Sequence, residues 1–151
     1  MRVVCLAFAC LTLLAGQTVH LQPVTKAPGD KVKLEIQAKS QPKRAPVTLS
    51  WDVVFPAQLV EMDGQGEAGS AATKAGKSLK CTARNSYTYN CALSGGQKPI
   101  EDGTIAIFHF KVRPAARAGS TALRIEHAVS TTADSRAFSL KDTEAVVVIR
   151  R

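Results

Sequence analysis

The side chains that could do chemistry in this sequence are few and widely spaced. His127, Ser130 and Asp134 have the residue types of a catalytic triad, but no serine lies in a nucleophile-elbow sequence. Glu101 and Asp102 are adjacent in a predicted turn, so they cannot face each other across a glycosidic bond. The sequence therefore predicts no catalytic residue, and we do not expect an enzyme.

Cysteine is the residue type with the clearest chemical role. Cys5 and Cys10 lie in an apolar N-terminal segment, which leaves Cys81 and Cys91 as an even pair in the rest of the chain. In an exported protein such a pair is expected to form a disulfide, here across a hairpin with its turn at residues 84–86. This ring would contribute about 2–3 kcal/mol. A zinc site is the alternative, but it needs about four ligands, and only distant histidines remain. We predict no metal and no cofactor.

The N-terminal segment predicts export. Arg2 precedes an uncharged run over residues 3–14, and small residues place a cleavage point between Gly16 and Gln17. Residues 1–16 are therefore predicted to be a signal peptide, because the apolar run is too short to span a membrane. The alternative is a buried N-terminal strand. We expect the protein to be secreted, or to reside in the periplasm or at the cell surface.

The rest of the chain has the length of one domain. Residues 17–27 are predicted to form a tether or a first strand, and residues 28–151 a single unit with its own core. The sequence has 20 Lys and Arg against 12 Asp and Glu, which gives a net charge of +8. Apart from a bunch at Lys39–Arg44, the basic residues are spread out. Nucleic-acid binding is not expected, since it favours a dense basic stripe interleaved with aromatic residues.

Short strand signals follow one another without a convincing helix. The predicted strands are residues 31–37, 47–55, the two arms of the cysteine hairpin, 104–112, 121–129 and 145–149, and residues 64–77 are predicted to be a surface loop. Glycine and proline turns separate these strands, which is typical of an all-β antiparallel β-sandwich.

The predicted core comes mainly from two of these strands. Alternation places Trp51 and Phe55 on one face, and the strand at 104–112 is apolar enough to be covered on both faces. In a later strand, the same alternation places His127 beside Leu123 and Ile125. The core is predicted to contain Trp51, Phe55, Ile105, Ile107, Phe108 and Phe110.

Four segments, taken in order, resemble the cohesin domains of cellulosomal and related bacterial surface proteins. They are the Gly-Asp start of a strand at 28–32, a strand and proline corner at 49–62, the strand at 102–112 and a late strand with its acidic turn at 119–134. The resemblance covers about residues 24–150. It implies a jelly-roll sandwich of about nine strands, shared with certain cellulose-binding modules. It also implies a non-catalytic role in gripping a dockerin on another protein, where any calcium belongs to the dockerin.

Two features depart from the cohesin pattern. Many dockerin-binding cohesins have an acidic residue just before the corner proline, and this chain has Phe55 before Pro56. The cysteine pair is not part of the usual pattern either. Work within polysaccharide-degrading machinery is therefore an expectation that comes from the family resemblance alone.

Candidate partner-binding residues are solvent-facing positions of a predicted strand, a tyrosine pair on the hairpin, and Arg84 at the hairpin tip. Tyrosine suits an interface because it combines a large rigid ring with a hydroxyl group, and two tyrosines are predicted to share one face of the hairpin. The alternative is that this hairpin face packs inward. The candidates are Thr48, Ser50, Asp52, Arg84, Tyr87 and Tyr89.

Two other functions stay open at this point. A carbohydrate-binding module would contact a glycan directly, but aromatic residues make up only 5% of the chain and Trp51 is predicted to be in the core. Tyr87 and Tyr89 could then hold a single sugar chain. A structural envelope subunit would self-associate through an exposed edge strand such as residues 145–149.

Overall fold

The strands predicted from alternation are all present, and shorter elements join them. The computed structural model describes residues 9–14, 24–41 and 43–151, with only the backbone for residues 9–14. The elements in these residues are β1 (Ala9–Leu14), β2 (Val24–Lys26), β3 (Lys31–Lys39), β4 (Thr48–Val54), β5 (Val60–Met62), β6 (Glu67–Ala68), α1 (Ser70–Lys74), β7 (Ser78–Asn85), β8 (Thr88–Ser94), β9 (Gly103–Val112), β10 (Gly119–Thr131), β11 (Ala137–Ser139) and β12 (Thr143–Ile149).

The strands of the described residues form two sheets that pack face to face. The larger sheet has seven strands in the order β2-β12-β10-β4-β8-β7, and β11 also pairs with β10. The smaller sheet has five strands in the order β1-β3-β9-β5, and β6 also pairs with β9. Neighbours are antiparallel except in the pairs β1–β3 and β2–β12, which are parallel. The predicted all-β sandwich is confirmed, with these two parallel pairs as additions.

The core lies between the inner faces of the two sheets. Its predicted members Trp51, Phe55, Ile105, Phe108 and Phe110 are all buried. The prediction for Ile107 is wrong, because this residue is only half-buried and pairs with Glu35 on the outer side of the smaller sheet. Side chains alternate along β9, so Phe108 and Phe110 face inward while Ile107 faces outward.

The predicted surface loop at residues 64–77 contains structure of its own. It includes β6 and the five-residue helix α1, whose buried Ala71 and Ala72 belong to the core. Gly69 precedes the helix and lies against β9, where a Cβ atom would approach the Thr104 carbonyl oxygen to 2.3 Å. One turn of helix is too short to show an amphipathic period, which explains why alternation did not reveal it.

The N-terminal strand β1 falls inside the segment predicted to be a signal peptide. It runs parallel to β3, with Ala9 opposite Leu34 and Leu14 opposite Lys39. Residues 1–8 and 15–23, and with them the cleavage point, lie outside the described residues, so the signal peptide stays a prediction. In the described part of the chain, no helix has the length and apolar character needed to cross a membrane.

The last strand is not an exposed edge. β12 lies between β10 and β2, and Val147, Val148 and Ile149 pair with β2. The prediction that residues 145–149 offer a free edge is therefore wrong, because the short N-terminal strand β2 covers it.

Candidate functional site

The cysteine hairpin determines which side chains point to solvent. Cys81 and Cys91 form the predicted disulfide and lie directly opposite each other on β7 and β8. Cys91 also lies opposite Trp51, and both are fully buried, so this side of the hairpin faces the core. Because side chains alternate along a strand, Thr82 and Asn90 must point outward.

A small and polar surface results on the solvent side of β10, β4, β8 and β7, which we call the outer face. Register places Ser50 opposite Ala92 and Val129, and Asp52 opposite Asn90 and Glu126. The residues of the outer face are Thr48, Ser50, Asp52, Lys80, Thr82, Arg84, Asn90, Ala92, Glu126, Val129 and Thr131. Most of these side chains are short, so a partner can approach the backbone of these strands.

Asp52 is the organising residue of the outer face. Its side chain is only 5% exposed although it points away from the core. The carboxylate accepts a 2.9 Å hydrogen bond from Asn90 Nδ2, and its second oxygen lies 3.1 Å from His127 Nδ1 and 3.5 Å from the Arg84 guanidinium. A buried carboxylate is costly unless it is hydrogen-bonded and paired. Asn90 donates a hydrogen bond, and His127 and Arg84 lie close to the second oxygen, so the Asp52 carboxylate meets both requirements.

His127 reaches Asp52 because β10 is irregular at this point. The pairing of β10 with β4 shifts between Glu126 and Val129, and His127 has a φ of 52°. Its backbone N–H donates to Asp142 Oδ1 at 3.1 Å, and its side chain is 77% exposed. The prediction that His127 shares the inner face is therefore wrong, since a bulge changes the side-chain phase of a strand.

The other candidate residues divide between surface and core. Thr48 and Ser50 lie on the outer face as predicted. Arg84 is predicted at the hairpin tip but lies in β7, because the turn is at Ser86 and Tyr87 and not at residues 84–86. Tyr87 is 51% exposed, and its N–H donates to Asn85 Oδ1 at 2.9 Å.

Tyr89 does not belong to the outer face. It lies opposite Val53, on the core side of β8, and its ring stacks on Phe55 at a centroid distance of 5.9 Å. The prediction that Tyr87 and Tyr89 share an exposed face is therefore wrong, and the inward-packing alternative describes Tyr89.

Sequence reasoning missed Lys80, Thr82, Asn90 and Ala92, although a signal for them existed. All four flank the two cysteines, so an inward disulfide implies that they point outward. For His127 no such signal existed, since a period-two pattern does not show a bulge.

His127 and Asp134, two of the three residues with catalytic-triad side chains, contact different residues. His127 contacts Asp52, whereas Asp134 accepts a hydrogen bond from the Thr132 hydroxyl and pairs with Arg136 at 3.0 Å. The Thr132 hydrogen bond is the main reason why the pKa of Asp134 lies below its ordinary value. Within the described ranges, no group of three or more His, Cys, Asp or Glu residues is arranged to hold a metal ion.

Comparison with known proteins finds the same architecture in solved structures. No protein-family model and no curated protein matches the sequence. A cohesin of scaffoldin B from Acetivibrio cellulolyticus, solved in complex with a dockerin, superposes with a TM-score of 0.71 at 18% identity, over 85% of this chain and 94% of that one. The OlpA cohesin of Clostridium thermocellum, also in a dockerin complex, gives a TM-score of 0.72 at 17% identity with the same coverage.

A third similar structure comes from an archaeon. The non-cellulosomal cohesin of Archaeoglobus fulgidus superposes with a TM-score of 0.65 at 14% identity, over 85% of this chain and 88% of that one. These matches extend over nearly the whole length of each cohesin module. This chain therefore has the jelly-roll β-sandwich fold of the cohesin modules.

Proposed function

We propose that this chain is an exported, non-catalytic docking module that binds a dockerin-bearing protein within polysaccharide-degrading machinery. The observation that carries the proposal is the outer face, a mostly polar surface built around Asp52 on a cohesin-like sandwich. Two of the similar structures are cohesins in complex with dockerins, which supports a partner of that kind.

The outer face is preorganised for docking. Three of its four strands are paired on both sides, and the disulfide links the remaining edge strand β7 to β8. The Asp52 carboxylate already has its hydrogen-bond partners, so a docking protein does not meet an uncompensated buried charge. A rigid, internally satisfied surface loses little conformational entropy on binding, which favours affinity.

The charge of the outer face indicates which partner surface suits it. Lys80 and Arg84 are exposed on β7, and Arg84 is only partly neutralised by Asp52. The chain as a whole is basic. A dockerin that presents acidic side chains to β7 would be steered toward the module and held in one register.

The carbohydrate-binding alternative loses support from the position of Tyr89. A sugar platform needs exposed rings, and Tyr87 is the exposed large hydrophobic residue among those described, while Tyr89 packs against the core. The self-associating subunit loses the free edge at residues 145–149. Protein docking is therefore the function that these side chains support best.

Titration calorimetry with dockerin modules from exported proteins of the same organism tests the proposal. Ala92→Trp places a bulky ring at the centre of the outer face, and we expect it to weaken dockerin binding by about a hundredfold or more. His109→Trp is the matched control, because His109 is also half-buried but lies on the outer side of the smaller sheet. Absence of binding to every dockerin, or an equal loss in both variants, would contradict the proposal.

A further inference from the structure

A pocket opens between the two sheets at the end of the sandwich remote from the Ser86–Tyr87 turn. Its walls are mainly apolar and include Leu49, Phe138 and Leu140, with Ala38 contributed by β3. Its volume is about 280 Å³. Small residues leave this space unfilled, because Ser130 occupies an inner-face position opposite Leu49 where a larger side chain would close it.

The mouth of the pocket is basic. Lys39 and Arg44 line it, and the Arg44 guanidinium lies 4.9 Å from the centre of the Phe138 ring. No carboxylate is among the described residues that line the pocket. Asp102 approaches this region, but its Oδ1 accepts hydrogen bonds from both the N–H and the hydroxyl of Ser40. Lys39 and Arg44 thus place positive charge beside a mainly apolar cavity.

We propose that this pocket binds a small amphipathic anion, namely a medium-chain carboxylate. Its hydrocarbon chain would lie against Leu49 and Phe138, and its carboxylate would pair with the planar guanidinium of Arg44. The volume is near the lower end of small-molecule sites, which fits a chain of about ten carbon atoms. The site lies at the other end of the sandwich from Tyr87 and does not depend on the proposed docking role.

The chemistry at the pocket favours this ligand over neutral or purely polar ones. Ser130, itself a buried residue, lines the pocket, so its side chain adds one polar group to a mainly apolar interior. A neutral alkane chain would form no ion pair with the Arg44 guanidinium, and a short anion would leave the apolar cavity unfilled.

Calorimetric titration of the full chain with decanoate tests the proposal, with 1-decanol and acetate as comparison ligands. We expect decanoate to bind one-to-one and acetate not to bind. We expect 1-decanol, which lacks the charge, to bind at least about tenfold more weakly. Arg44→Gln should weaken decanoate binding by about tenfold or more, while Arg117→Gln, which removes an exposed arginine elsewhere, should leave it unchanged.

A second variant tests the cavity itself. Ser130→Leu fills the pocket and should abolish decanoate binding. If this variant does not fold, amide shifts of Leu49 and Phe138 in the unmodified chain on adding decanoate replace it. Equal binding of decanoate and 1-decanol, unchanged binding by Arg44→Gln, or shifts elsewhere than the pocket would each overturn the proposal, as would an absence of binding.

Discussion

Removal of the Asp52 carboxylate should destabilise the fold even though Asp52 lies on the solvent side of its sheet. In Asp52→Ala, Asn90 keeps only a longer 3.5 Å contact with the Trp51 carbonyl oxygen, and His127 and Arg84 lose their shared acceptor. In Asp52→Asn, the shape is retained and Asn90 can still donate to the amide oxygen, whereas the charge and the second acceptor oxygen, which faces His127 and Arg84, are lost. The two variants therefore separate the Asn90 hydrogen bond from the contacts with His127 and Arg84.

The expected loss of unfolding free energy depends on how exposed each side chain that contacts Asp52 is. The hydrogen bond from half-buried Asn90 to a buried carboxylate is worth about 1.5–3 kcal/mol. The contacts with His127 and Arg84 add only a few tenths of a kcal/mol each, because these side chains are 77% and 59% exposed. We expect Asp52→Ala to lower the free energy of unfolding by about 2–3 kcal/mol and Asp52→Asn by about 1 kcal/mol.

Urea unfolding followed by tryptophan fluorescence measures both losses, since Trp51 is the only tryptophan and is fully buried. With a typical slope, Asp52→Ala should shift the midpoint downward by about 1–2 M urea. Glu144→Gln, which changes an exposed carboxylate in the same sheet, should shift it little. If Asp52→Ala unfolded at the wild-type midpoint, the carboxylate would not organise the outer face as we infer.

Three further predictions concern the rest of the sandwich. Reduction of the Cys81–Cys91 disulfide should lower the free energy of unfolding by about 2–3 kcal/mol, and identical urea midpoints with and without reductant would contradict this. Gly69→Ala forces a Cβ atom against the Thr104 carbonyl oxygen, so it should lower the free energy of unfolding by about 1–3 kcal/mol in thermal melts. An unchanged Tm would contradict this close approach of Gly69 to Thr104. The Lys31 ammonium, 3.0 Å from Asp63, holds the pKa of that carboxyl below its ordinary value. The stabilisation from this ion pair is present above the pKa of Asp63 in the unfolded chain and is lost as pH falls through the Asp63 pKa in the folded chain. Lys31→Gln should raise the Asp63 pKa in carboxyl NMR titration.

Alternation predicts the sandwich well wherever one face of a strand is buried. In β3 and β4 the apolar residues recur at every second position, so their inward direction can be inferred without tertiary information. The same rule fails for β6 and α1, which are too short to show a period. It also fails for Ile107, because a strand with apolar residues on both sides does not reveal which side meets the other sheet.

The candidate site was predictable only in part. Ser50 and Asp52 follow from strand phase alone. The burial of Asp52 does not, because it depends on three side chains from β7, β8 and β10 that come together only in the folded sheet. Tyr89 packs inward for a similar reason, since Phe55 receives its ring across the sheet.

The disulfide links the stability of the fold to the proposed function. β7 is the edge strand of the described sheet and pairs with β8, yet it supplies Lys80, Thr82 and Arg84 to the outer face. An edge strand held by one set of backbone hydrogen bonds opens more readily than a central strand, and a docking partner would then have to order it at a cost in affinity. The Cys81–Cys91 bond lies on the core side of that strand and restrains it before a partner arrives. Reduction should therefore weaken docking more than the loss of any one contact on β7, even under conditions where the sandwich stays folded.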